Sequence, residues 1–228
     1  MNVLAIVPAR TGSKGIPHKN FRELAGLRPL DRAVRCASAA GVEDIVISSD
    51  APCDGIYRWL QCAPPLHTDE CPMIDVVKDA LARVPGPPDQ IIVLLQPTQP
   101  LRQPKHIQAA IALLQETQAD SVVSVVELPA THHPLMQFSV SYLTPGGFPG
   151  LARWYQSDYE SLPGTRQELH PTYTRDGTAY AFYRSTVQRF GTIYGERVRA
   201  LIIPSEETCS LDTPQDWIDA ERRLQARS

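Results

Sequence analysis

The sequence predicts a three-layer α/β fold on a largely parallel sheet, and three observations carry that prediction. Short β-rich runs recur at Val3–Pro8, Asp44–Ser48, Gln90–Leu95 and Ser121–Glu127. They are nearly continuous in apolar residues, as strands covered on both faces are. Stretches with helical spacing lie between them, and such alternation feeds a parallel sheet with helices on either side.

Each element has its own signal. Ile74, Val77, Leu81 and Val84 share one helical face, started by Pro72 in the favoured first-turn position. Ile107, Ile111 and Leu114 share another, after Pro104. Beyond Leu128 the rhythm breaks into a proline-, glycine- and aromatic-rich stretch. A structureless run of that length is improbable inside a compact domain, so 128–171 reads as an excursion covered by something else, a second subunit being the natural candidate. Regular structure returns at Ala179–Tyr183 and Val198–Ile203 and ends in a helix from Pro214. The expectation is a single domain spanning 1–228.

Composition narrows the function classes. A length of 228 residues is enough for a sizeable core. A formal charge of −3 with 21% charged residues gives no basic field for nucleic acid. The five cysteines (Cys36, Cys53, Cys62, Cys71, Cys209) are odd in number and contain no CxxC pair. That argues against a zinc site or disulfide framework and for a reducing, cytoplasmic setting. The apolar start precedes Arg10 and Lys14, the reverse of an export signal. Ile91–Leu95 is too short to span a bilayer, so no membrane partner is expected.

The strongest chemical signal is VPARTGSKGIPHKN, Val7–Asn20, directly after the first strand. Gly12 and Gly15 let the backbone bend and approach a ligand. Arg10, Lys14, His18 and Lys19 cluster there in a chain that is net acidic. Free backbone N–H groups plus cations at the C-terminal edge of a parallel sheet suit a polyphosphate. The loop is neither a Walker P-loop nor GxGxxG. A solvated basic loop is the alternative that spacing alone leaves open.

These residues resemble the N-terminal signature of the acylneuraminate cytidylyltransferase family, which includes enzymes acting on Kdo, pseudaminic and legionaminic acids. The resemblance continues in order through IVISSD (Ile45–Asp50), LLQPTQPLR (Leu94–Arg102), and SVVSVVE (Ser121–Glu127) with HHP (His132–Pro134). It ends with TRQELHPTYTRDGTAYAFYR (Thr165–Arg184) and SLDTPQDWIDAE (Ser210–Glu221). It implies a Rossmann-like α/β/α nucleotide-diphospho-sugar transferase fold, a mostly parallel mixed sheet, and a homodimer formed through the excursion.

By that resemblance Arg10, Ser13, Lys14, Lys19 and Asn20 hold the nucleotide, with both lysines on the phosphates. Gln96 lies where nucleotide meets acceptor, and Arg166, Gln167 and Tyr173 line the acceptor pocket. Asp212 helps bind Mg²⁺, and Arg10, Lys19 and Asp212 form the catalytic set. The implied reaction moves CMP from CTP onto a small anionic acceptor, a sialic-acid-like nonulosonic acid first. Two alternatives stay open: another acid such as a phosphonate, or a non-catalytic nucleotide-binding subunit.

The residues themselves leave plainer roles available. Gln96, before Pro97, can serve loop backbone. Asp212, before Thr213-Pro214, can face a helix dipole. His132 and His133 are adjacent, so on a strand they point apart and cannot share a metal. Trp154, Tyr155 and Tyr159 can stack on a ligand or pack at an interface. Asp50 can approach the metal region or begin a turn.

Four positions depart from the family pattern. Ser210 stands where an acidic residue is common, and Ala63-Pro64-Pro65 where Leu-Arg-Pro is frequent. Asp176-Gly177 replaces Asn-Gly, and Gln99 replaces a serine.

Overall fold

A computed structural model describes residues 2–53, 57–68, 70–141, 150–153 and 169–227. Its contacts fall into two units, Met1–Val125 with Arg175–Ser228, and Val126–Thr174. The expected excursion, 128–171, falls within the second unit.

The first unit is organised by strands whose alternate residues enter opposite cores. Strand β1 (Val3–Pro8) sends Val3, Ala5 and Val7 to one side and Leu4 and Ile6 to the other. Strand β4 (Ile91–Leu94) divides likewise, Ile91 and Val93 against Ile92 and Leu94. Helix α1 (Pro29–Ala39) and helix α3 (Pro104–Thr117) cover the first face with Leu30, Ala33, Val34, Ile107, Ala110 and Leu114. Helix α2 (Met73–Arg83) covers the second with Val77, Ala80 and Leu81, joined by Val187 of α4 (Arg184–Phe190). Three layers result, as the apolar runs require.

The sheet has seven strands in the order β3-β2-β1-β4-β8-β5-β9, adding β2 (Asp44–Ser49), β3 (Arg58–Gln61), β5 (Ser121–Glu127), β8 (Tyr173–Tyr183) and β9 (Val198–Ile202). Pairs β1–β2, β1–β4, β2–β3 and β5–β9 are parallel. Strand β8 runs antiparallel to β4, Val93 opposite Ala181, so the sheet is mixed.

A third apolar cluster fixes the site. Helix α5 (Pro214–Gln225) contributes Trp217, Ala220 and Leu224, which meet Ile16, Leu24, Leu101 and Leu211. Ile16 lies inside the glycine loop, and burying such a side chain is worth about 2 kcal/mol. Loop and C-terminal segment are thus held together by packing before any ligand arrives.

In the second unit, strands β6 (Phe138–Ser141) and β7 (Gly150–Arg153) pair antiparallel, Phe138 opposite Arg153. Two expectations are corrected. Pro72 is the N-cap of α2 rather than a first-turn residue. His132 and His133 sit at successive 3₁₀ turns punctuated by Pro129 and Pro134, not on a strand. The His133 ring is occupied as an acceptor for the Leu135 N–H at 3.1 Å. No helix among the described residues is long and apolar enough to cross a membrane.

Candidate active site

The site is built on the loop that leaves β1 at its C-terminal end. The Ala9 N–H donates to the Ser48 carbonyl at 2.8 Å, extending the β1–β2 pairing by one residue. Thr11 then donates twice to Asp50, from its N–H at 2.8 Å and its hydroxyl at 2.5 Å. Both Asp50 oxygens therefore brace the loop, which is what this residue does at the end of β2. Farther along, the Ser13 hydroxyl donates to the Ile16 carbonyl. The buried Asn20 amide donates to the Arg10 carbonyl at 2.9 Å. Its Oδ1, also buried, has no hydrogen-bond partner. A buried acceptor left unpaired is costly, and a ligand donor satisfies it.

Gly15 is required by close approach. A Cβ there would lie 2.1 Å from the Asp212 carbonyl oxygen, so any side chain must drive loop and C-terminal segment apart. Across that contact Lys19 Nζ donates to the Leu211 carbonyl at 2.7 Å and lies 3.3 Å from Asp212 Oδ1. The Lys19 side chain is 17% exposed and that of Asp212 66%. The pair is therefore a cation held in the wall beside a carboxylate open to solvent.

Helix capping does not occupy Asp212. Thr213 is the N-cap of α5 and accepts from the Asp216 N–H at 3.2 Å. The Asp216 carboxylate takes the N–H groups of Thr213 at 2.7 Å and Asp212 at 3.1 Å, closing a capping box. The Asp212 carboxylate faces Lys19 instead and accepts from the Ser210 hydroxyl at 2.5 Å. Mg²⁺ is commonly held by one or two carboxylates with substrate phosphates completing its shell. One exposed carboxylate at the foot of the basic loop fits that ion.

The second wall comes from the turn after β4. The Leu211 N–H donates to the Thr98 carbonyl at 3.0 Å, tying this turn to the C-terminal segment. Among the described residues the half-buried Gln96 amide makes no hydrogen bond, so it does not serve loop backbone. It lies against Gly177, where a Cβ would meet Gln96 Oε1 at 2.4 Å. Gly177 also has φ +79°, so the turn needs glycine on both counts.

Arg102, unremarked within the sequence motif, holds this wall. Its guanidinium is buried and donates to the carbonyls of Thr178 at 2.5 Å, Gln96 at 2.5 Å and Gly177 at 3.3 Å. Burial pulls its pKa down to about 10. Two departures from the family pattern meet here as well. The Gln99 amide donates to the Asp176 carbonyl. The Thr208 hydroxyl lies 3.0 Å from Gln99 Oε1 and 2.9 Å from Asp176 Oδ2. Asp176 also accepts from the Thr178 N–H at 3.1 Å and from the Thr178 hydroxyl. Its charge is spent on the turn.

The structure thus brings Lys19 and Asp212 into contact, seats Ser13 and Asn20 within the loop, and ties the Gln96 turn to the same segment. Arg10 is half-buried and Lys14 exposed on the loop. Tyr173 is exposed at the start of β8. Arg166, Gln167, Trp154, Tyr155 and Tyr159 lie outside the described residues. Ala63-Pro64-Pro65 forms the entry to a 3₁₀ turn.

Comparison with known proteins identifies the family. The family described as cytidylyltransferase matches residues 4–140. An N-acylneuraminate cytidylyltransferase of Streptococcus agalactiae serotype III is 30% identical over 96% of this chain and 52% of its own length. A CMP-N,N'-diacetyllegionaminic acid synthase of Legionella pneumophila is 28% identical over 99% of this chain and 97% of its own. An 8-amino-3,8-dideoxy-manno-octulosonate cytidylyltransferase of Shewanella oneidensis is 25% identical over 98% and 99%. The chain spans about half the length of the streptococcal relative, and nearly all of the other two. In fold it is similar to a CMP:2-keto-3-deoxy-manno-octonic acid synthetase solved with CTP, at TM-score 0.72 and 15% identity over both whole chains.

Proposed function

Because the chain belongs to the cytidylyltransferase family, we propose that it transfers CMP from CTP to a nonulosonic acid, releasing pyrophosphate. The observation that carries this reading is the Lys19–Asp212 contact, a wall cation and an exposed carboxylate brought together at the open end of β1. The names of the three relatives specify acids as acceptors, which supports the acceptor class.

In this reading the loop cations Arg10, Lys14 and Lys19 neutralise the triphosphate. The acceptor oxygen attacks the α-phosphorus, the bond from that phosphorus to the β-phosphate oxygen breaks, and pyrophosphate carries the electron pair away. The acceptor hydroxyl gives up its proton to solvent. Such chemistry asks for positioning and charge neutralisation rather than a covalent intermediate. Gln96 orients the reacting groups from the second wall, and Asn20 Oδ1 accepts a nucleotide donor. Asp212 would hold Mg²⁺, which supplies further charge neutralisation on the phosphates. Ser210 adds no charge, so substrate phosphates would have to supply the remaining negative ligands. Tyr173, Arg166 and Gln167 belong to the acceptor side, and a homodimer in the cytoplasm is part of the same reading.

The test is thermal stabilisation by CTP, GTP, UTP and ATP with and without Mg²⁺, followed by pyrophosphate release with a panel of sugar acids. The reading expects a Mg²⁺-dependent shift for CTP alone, release with a nonulosonic acid, and two chains per particle by light scattering. Binding of CTP with no release for any acid would leave a nucleotide-binding subunit, and a shift with another nucleotide alone would replace CMP.

A further inference from the structure

A cavity of about 760 Å³ opens among α1, the residues leading into α3, the turn at Ser205–Glu207 and the end of α5. Four arginines line it: Arg32, Arg35, Arg102 and Arg227. No carboxylate pairs with any of them among the described residues, although two glutamates share the wall. Glu207 is committed to Lys105 and His106, each at 2.6 Å. The Glu206 carboxylate takes only the Ser205 hydroxyl at 3.5 Å.

The arginines are unequally used. Arg102 is spent on the carbonyls described above. Arg227 donates to the carbonyls of Leu101 at 3.2 Å and Glu206 at 2.8 Å. Arg32 donates from Nη2 to the Leu24 carbonyl at 3.1 Å, while its Nε is buried with no partner. Among the described residues the exposed Arg35 side chain makes no hydrogen bond or ion pair. It stands one helical turn from Arg32, so the two present like charges on one face of α1. Burial first and Arg35 second push the Arg32 pKa below its ordinary value. An orphaned buried donor beside an unpaired like charge is an arrangement that a bound anion relieves.

We propose that this cavity is a second anion site, separate from the nucleotide loop, that takes a small phosphorylated molecule by its phosphate between Arg32 and Arg35. A phosphate has enough oxygens to engage several guanidinium forks from different directions, whereas one carboxylate satisfies a single fork. The volume leaves room for the organic part.

Inorganic phosphate is the probe, followed by thermal shift on the whole chain at constant ionic strength. A ligand at ten times its Kd raises Tm by about 3–5 °C for a chain of this size. The shift is expected in the unmodified protein and in K19M, where the nucleotide loop is impaired. R32Q/R35Q is expected to need about tenfold more phosphate while keeping its response to CTP. R35Q alone, at an exposed position, is expected to fold normally and to show a smaller loss in the same direction. Citrate in place of phosphate distinguishes a polycarboxylate ligand, and a citrate response exceeding that of phosphate overturns the phosphate assignment. The proposal also fails if R35Q and R32Q/R35Q respond like the unmodified protein, if K19M abolishes the shift, or if chloride reproduces it.

Discussion

Gln99 and Asp176, 77 positions apart, share one hydrogen-bond system through the Asp176 carbonyl and the Thr208 hydroxyl. The Thr208 hydroxyl has a single proton and two acceptors within reach, one on each. Neither replacement is therefore independent of the other. Q99S removes the donor to the Asp176 carbonyl and one acceptor of the Thr208 hydroxyl, D176N removes the charge at the other acceptor, and the shared Thr208 bond cannot be lost twice. Urea unfolding of Q99S, D176N and the double variant is expected to show a coupling of about 0.5–3 kcal/mol, the double variant losing less than the sum. Strictly additive losses would show that the two departures merely neighbour each other. This network was not legible in the sequence, where the positions read as separate oddities. Nothing local marks a hydrogen bond between a loop after β4 and the middle of β8. The role of Arg102 is hidden in its motif for the same reason, since three carbonyls gathered around a guanidinium exist only after folding.

At the level of elements, legibility followed burial. Strands β1 and β5 begin and end at the expected residues, with buried side chains through Val7 in β1 and over Ser121–Ser124 in β5. Strand β3 went unseen: of its four residues only Leu60 is buried. Helix α1 hides its apolar face in small residues, Ala33, Cys36 and Ala37, between arginines. Strand β8 starts six residues before the expected Ala179 because its first half is exposed. At α5 the sequence left Asp212 between capping and metal binding, and the structure gives the cap to Thr213 and Asp216. That division of labour predicts a dissociation. T213A removes an N-cap and should cost about 1 kcal/mol, lowering Tm by about 2–4 °C, while the folded protein keeps its turnover. D212N removes only the exposed carboxylate of its pair and should leave Tm within about 1 °C, since Lys19 keeps its bond to the Leu211 carbonyl. In the proposed reaction it should lower turnover on the order of a hundredfold. Paired loss of stability and activity in both variants would mean that the cap and the charge act as one unit.

Across the first unit, acid sensitivity should arise where carboxylates fasten one segment to another. Asp120 opens β5 and accepts the N–H groups of Arg197 at 2.7 Å and Glu196 at 3.0 Å, holding the segment that enters β9. Gly195, with φ +70°, passes so near that a Cβ would lie 2.4 Å from Asp120 Cβ. The Arg197 N–H bond does most to hold the Asp120 pKa below its ordinary value, against partial desolvation. The hydrogen bond from Lys105, then that from His106, does the same for Glu207, which joins α3 to the C-terminal segment. A folded-state pKa below the unfolded one, about 3.9 for Asp and 4.3 for Glu, gives stability that is fully present above those values. It is lost as pH falls through the folded-state pKa, when the proton displaces the donors. Unfolding free energy from urea titrations should therefore hold steady near neutrality and decline from about pH 4 downward. D120N keeps an acceptor oxygen but cannot titrate, so it should be less stable at pH 7 and decline less steeply in acid. A D120N profile parallel to that of the unmodified protein would show that this fastening contributes nothing to the acid response, and would leave Glu207 to account for it.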